Sequence, residues 1–147
     1  MARNHGIAQA SGAFIAFLDT DDLWTPDKLE LQLEALQKNP EAGVAYIWTM
    51  HMSQDGKTLH DGGAVPFEGN VYPELLLSNF ITSGSNPLIC RAAIESVSGF
   101  DPALVSAEDW EYWLRLAAQW SFVLVPKPQI FYRHSSTSLS TKIGSRV

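Results

Sequence analysis

The stretch "FIAFLDTDDLW", residues 14–24, ends an apolar run in three carboxylates, Asp19, Asp21 and Asp22. Asp19 and Asp21 are two apart, so in an extended segment their side chains point the same way. Two hard oxygen donors on one side suit Mg²⁺ or Mn²⁺, with a diphosphate and waters completing the shell. The cation would cancel the repulsion between the carboxylates and offer positive charge to phosphate. The same residues also read as a solvated turn in which Asp22 caps the next helix. A second acidic pair, Glu108–Asp109, sits in "AEDWEYWLRLAAQW", where acids also suit the positive end of a helix. His5, His51 and His60 are scattered without metal-ligand spacing and read as surface polar residues. Trp24, Trp110 and Trp113 either stack on a ligand or pack in the core. "SGSNP", residues 83–87, either lines a cleft or makes an ordinary turn.

The elements that must position these groups alternate between helix and strand. "RNHGIAQASG" has a short helical pattern with Gly12 as its stop, and "AFIAFLD" reads as a strand apolar on both faces, as in a sheet covered on both sides. "TPDKLELQLEALQKNP" is the clearest helix: Thr25 is placed to cap it, Pro26 fits its first turn, and Leu29, Leu33 and Leu36 form its apolar stripe. "GVAYIWTMHM" reads as a strand, followed by a turn at Asp55-Gly56. "HDGGAVPFEGN" reads as a loop, "VYPELLLSNF" as a short helix, and "SGSNPLICRAAIESVSGFD" as a strand and a helix ending near Gly99. In the "AEDW" helix, Trp110, Trp113, Leu114, Ala117 and Ala118 fall on one face. "FVLVP" and "QIFYRH" read as two short final strands. An α/β layered fold follows, with one domain over residues 1–134 and a polar, mobile tail over 135–147.

Composition narrows the function. The 147 residues are 46% hydrophobic and 18% charged, enough for a core in a single domain. The net charge of −6 disfavours nucleic acid and anionic membrane surfaces, though an anionic ligand can still bind through a metal ion. One cysteine, Cys90, excludes an internal disulfide and reads as a buried thiol. No apolar run approaches the roughly 18 residues of a membrane span, and the N-terminus lacks the apolar core of a secretory signal. A soluble, cytoplasmic protein is expected.

Three segments carry a family resemblance. "ARNHGIAQASGAFIAFLDTDDLWTPDKLELQ", residues 2–32, closely resembles the middle of inverting family-2 glycosyltransferases, which have the A-type nucleotide-sugar fold. The family pattern is A-R-N-x-G-I, then A-x-G-x-(aromatic or Ile)-I-x-F-L-D-x-D-D, then W-x-P-x-K-L-E; Ala13 departs where the family often has an acid. "GFDPALVSAEDWEYWLRLA", residues 99–117, resembles the family's G-F-D-x-x-L-x-x-x-E-D segment. "YRHSSTSLS", from Tyr132, is similar to a Y-R-x-H-x-x-S-x-S ending, but Ser135 stands at the histidine position and His134 comes one place early. In a strand, that single step reverses the side chain's direction.

The resemblance implies a metal-dependent inverting transferase that moves a sugar from a nucleotide-diphosphate donor to an acceptor hydroxyl. Asp19 and Asp21 would hold Mg²⁺ or Mn²⁺ and the diphosphate, with His134 as a further metal ligand. Asp22 would assist at the donor sugar and Arg133 would contact phosphate. Asp109, with Glu108 beside it, would be the general base. A nucleotidyltransferase or phosphatase with paired aspartates is the competing enzyme class, but it leaves "AEDWEYWLRL" unexplained. The resemblance also begins in mid-domain, without the P-x-Y-N and D-D-G-S-x-D segments that hold the base. The expectation is therefore the C-terminal two-thirds of a partial A-type fold, a mixed central sheet flanked by helices without its N-terminal nucleotide-binding strands. Such a chain is expected to be inactive alone and to form a homo-oligomer through an exposed sheet edge. The alternative is a truncated, inactive domain that self-associates or binds a glycan.

Overall fold

A computed structural model of the chain describes residues 2–134. The expected tail over 135–147, with Ser135, lies outside the described residues. In chain order the elements are α1 (Ala2–Gln9), β1 (Phe14–Ala16), β2 (Leu23–Trp24), α2 (Lys28–Lys38), β3 (Ala42–Met52), β4 (Leu59–Asp61), α3 (Tyr72–Leu77), β5 (Leu88–Cys90), α4 (Arg91–Val97), α5 (Glu108–Ala117) and β6 (Ser121–Arg133). The strands form one mixed sheet in the order β1-β5-β3-β6-β2, with β4 added to β3. β3 and β6 run parallel, and the remaining pairs are antiparallel.

The continuous apolar run of β3 explains the layering. Val44, Ala45, Tyr46 and Ile47 are all fully buried, so both faces of the strand are covered. Alternation sends Val44 and Tyr46 into the larger core with Leu75, Ile94, Tyr112, Trp113 and Leu116, beneath α3, α4 and α5. Ala45 packs on the other face with Leu36 of α2, and Ile47 packs with Val125 and Ile130. The result is a mixed sheet between helical layers, as expected for the A-type class. Among the described residues, β1 pairs only with β5 and forms one edge of the sheet.

Four local expectations are corrected. On α2, Leu29 faces solvent, and the inward line is Lys28, Gln32 and Leu36 at helical spacing. Polar residues occupy it because each has a partner: Lys28 Nζ donates to Gln32 Oε1 at 2.8 Å, and Gln32 Nε2 donates to the carbonyls of Ala45 and Asn86. Thr25 does not cap α2 with its side chain; its hydroxyl donates to Asp27, and its carbonyl accepts from Lys28 N–H at 3.2 Å. On α5 the buried face is Tyr112, Trp113, Leu116 and Ala117, rotated from the expected stripe so that Tyr112 stacks on Phe100 with ring centroids 4.0 Å apart. The two final strands are one, β6. Its register jumps from Ile47↔Val125 to Trp48↔Pro128, where Pro126 and Pro128 lack the N–H groups that would continue the ladder.

Candidate active site

The acidic tip is set by a buried polar knot. After β1 the chain turns, with Asp22 N–H donating to the Asp19 carbonyl at 3.1 Å. Ser85 Oγ accepts from Asp19 N–H at 2.8 Å and donates to Asp22 Oδ2 at 2.7 Å, while Ser83 Oγ adds a second bond to the same oxygen. Trp24 Nε1–H donates to the Ser85 carbonyl, and Asn86 brackets the backbone of Ile47 with its carbonyl and amide. Ser83, Ser85 and Asn86 are 0–2% exposed. Buried polar groups need partners, and these supply one another's. "SGSNP" is thus a scaffold under the tip, although Ser83 and Gly84 also line the cavity above it.

Arg3 ties this tip to the second acidic pair. From α1 its guanidinium donates to both oxygens of Asp19, at 3.0 and 3.2 Å, and lies 3.8 Å from Glu108. Gly84 allows that approach, because a Cβ there would collide with the guanidinium. Asn4, the next residue, locks the second segment in place. It donates to the Phe100 carbonyl at 2.8 Å and accepts from Phe100 N–H at 2.7 Å. Neither residue was assigned a role from sequence; their place inside the "ARN" segment was the available signal.

The outcome is one cleft of about 1100 Å³ that Asp19, Asp21, Glu108 and Asp109 all line, with Arg3 and Arg133. Four carboxylates face two guanidiniums, leaving an excess of two negative charges. Burial pushes the Asp109 carboxyl above the usual carboxylate range; Arg3 opposes this, and Glu108 adds to it. Asp21 is exposed at the cleft. Oxygen donors with uncompensated negative charge fit a hard divalent cation. Arg3 neutralises part of Asp19 and Glu108, so the excess falls chiefly on Asp21 and Asp109.

Three expected site residues are placed differently. Asp22 is 4% exposed, and its carboxylate is turned into the knot, with burial raising its pKa against the two serine bonds. It positions the tip and is not among the residues that line the cleft. Arg133 lines the cleft, but its Nε–H donates to the Asp21 carbonyl at 3.0 Å and its Nη1 to the Gln54 carbonyl at 2.6 Å, so it braces the tip against the Asp55-Gly56 turn. His134 is not among the cleft residues. Its imidazole hydrogen-bonds His51 and stacks beside His60, so the reading of His51 and His60 as scattered surface residues is also corrected. Tyr132 and Arg133, the last two residues of β6, both line the cleft, and His134 lies just beyond the strand end.

A mixed sheet with an acidic cleft beyond its strand ends is the arrangement of nucleotide-sugar transferases. The chain belongs to the family described as glycosyltransferase like family 2, whose model matches residues 1–147. An uncharacterised glycosyltransferase of Rickettsia bellii is 31% identical over 127 residues, covering 80% of this chain and 17% of that protein. The Escherichia coli UDP-Glc:alpha-D-GlcNAc-diphosphoundecaprenol beta-1,3-glucosyltransferase WfgD is 55% identical over 38 residues, 26% of this chain and 15% of its own length. The crystal structure of S. aureus TarS 1-349 superposes with a TM-score of 0.64 at 17% identity, over 89% of this chain and 39% of that one. This chain therefore spans a minor part of the relatives it matches. No helix among the described residues is long and apolar enough to cross a membrane.

Proposed function

We propose that this chain carries the metal, base and acceptor side of an inverting glycosyltransferase that uses a nucleotide-diphosphate sugar. The observation behind the reading is that Asp19, Asp21 and Asp109, ninety residues apart in sequence, line one cleft. Asp19 and Asp21 would hold Mg²⁺ or Mn²⁺, which would supply Lewis-acid charge to the leaving diphosphate. Asp109 accepts the proton of the acceptor hydroxyl as its oxygen attacks the anomeric carbon. The bond from that carbon to the diphosphate breaks, and its electron pair leaves with the diphosphate oxygen. A single direct displacement inverts the anomeric centre. The raised pKa of Asp109 suits it to take a proton, and Arg3 keeps the neighbouring acids from repelling the donor.

Calorimetric titration with Mn²⁺ and a panel of nucleoside diphosphates tests the site directly. Metal-dependent diphosphate binding that falls at least tenfold in Asp21→Asn is expected. Equal binding in the variant, or binding indifferent to metal, defeats the assignment.

A further inference from the structure

A second group of potential ligands lies outside the cleft. β3 is flanked by β4 and β6, and each of these segments brings one imidazole to the same face. His51 of β3 pairs directly with His60 of β4, and its register partner on β6 is Tyr132. Two residues beyond Tyr132, His134 continues that face, with its N–H donating to the Met52 carbonyl at 2.9 Å. The three rings stack around His51, with centroids 5.1 Å from His60 and 4.8 Å from His134. One ring nitrogen from each lies within 4.8 Å of the others. Around a tetrahedral Zn²⁺ with bonds of about 2.0–2.1 Å, ligand nitrogens stand about 3.4 Å apart. Binding an ion there replaces the direct hydrogen bond between the His51 and His134 rings.

Two further observations fit an ion there. Gly62 lies against the cluster: a Cβ at that position would collide with the Thr49 carbonyl and stand 2.9 Å from the His51 ring. His60 and His134 are exposed while His51 is half-buried, which leaves an entry path and an open coordination position. Three imidazoles without a carboxylate ligand favour a borderline metal, in contrast to the oxygen donors of the cleft.

We propose that His51, His60 and His134 form a second metal site, for Zn²⁺ or a similar borderline divalent ion, separate from the acidic tip. The ion clips the β3–β4 hairpin to the end of β6. That strand end carries Tyr132 and Arg133 into the lining of the cleft, so the clip fixes one wall of it. The proposal does not depend on the transferase reading.

The test uses the chain after dialysis against a chelator. Zn²⁺ is titrated calorimetrically, and Co²⁺ is followed by its visible absorption. One equivalent is expected to bind, with an intense low-coordinate Co²⁺ spectrum and a rise in melting temperature. His60→Ala lies on an exposed strand, and together with His51→Ala it should weaken binding by more than the 10–100-fold, roughly, that removing an outer-shell partner costs. His5→Ala should leave the affinity unchanged. No binding in the wild-type chain, wild-type affinity in both cluster variants, or an equal loss in His5→Ala would each overturn the proposal.

Discussion

Asp109 illustrates how one carboxylate can serve chemistry at the expense of stability. Burial raises its pKa in the fold, so the folded chain holds that proton more tightly than the unfolded chain does. The associated stability is present below the unfolded pKa and is lost as pH rises through the folded one. At pH 7 the charged, partly desolvated form is therefore a liability that Asn would not have. In the proposed reaction, assayed in a chain that also carries the nucleotide-binding segments, Asp109→Asn removes the base and should lower transfer by about 10²–10⁴-fold. The same substitution should raise the urea midpoint at pH 7 and change it little at pH 3. A variant both less stable at pH 7 and fully active would refute both the role and the electrostatic account. Arg3 acts differently: it touches Asp19 and approaches Glu108, holding together two acidic segments that sequence spacing cannot connect.

At the level of elements, α2 shows why an apolar stripe read from sequence can point the wrong way. Leucines at 29, 33 and 36 are legible as a pattern, but the helix turns Lys28 and Gln32 inward because the polar knot below exposes carbonyls that need donors. Lys28 lies over the Trp24 ring, 4.1 Å from its centroid, and burial lowers its pKa to about 7. Between about pH 7 and the unfolded value of 10.5, the unfolded chain binds a proton that the fold has released. Stability should therefore rise with pH across that window, by at most about 1.4 kcal/mol per pH unit. Below about pH 7 both states are protonated and the cost of the buried ammonium is constant. Lys28→Met should flatten the rise between pH 7 and 10, measured as the difference from wild type in denaturant titrations. Parallel pH profiles for the two proteins would exclude a depressed Lys28.

On the scale of the molecule, the sheet has an edge. β1 is three residues long, carries the buried Ile15, and pairs with β5 on one side only among the described residues. An unpaired strand edge is a template for another strand. We expect the purified chain to self-associate, with native mass spectrometry showing dimers or larger species at micromolar concentration. A Pro substitution at Phe14 or Ile15 should shift the population toward monomer. A clean monomer of the wild-type chain would mean that the edge is blunted in some other way. The chain covers between 15% and 39% of the three relatives compared above.

The sequence alone determined the longer elements, the acidic tip, the second acidic pair and the family, because these rest on local properties: hydrophobic period, turn chemistry and short motifs; the two- and three-residue strands β2 and β4 were too short to leave such a signal. Only the tertiary structure decided which way each element faces. The inward turn of Lys28 and Gln32, the burial of Asp22 on Ser83 and Ser85, and the meeting of His51, His60 and His134 all depend on partners 9 to 83 residues away that periodicity does not encode. The physical reason is satisfaction of buried polar groups: a donor or acceptor turns toward whatever complementary group the fold places beside it, and only the assembled sheet supplies that group.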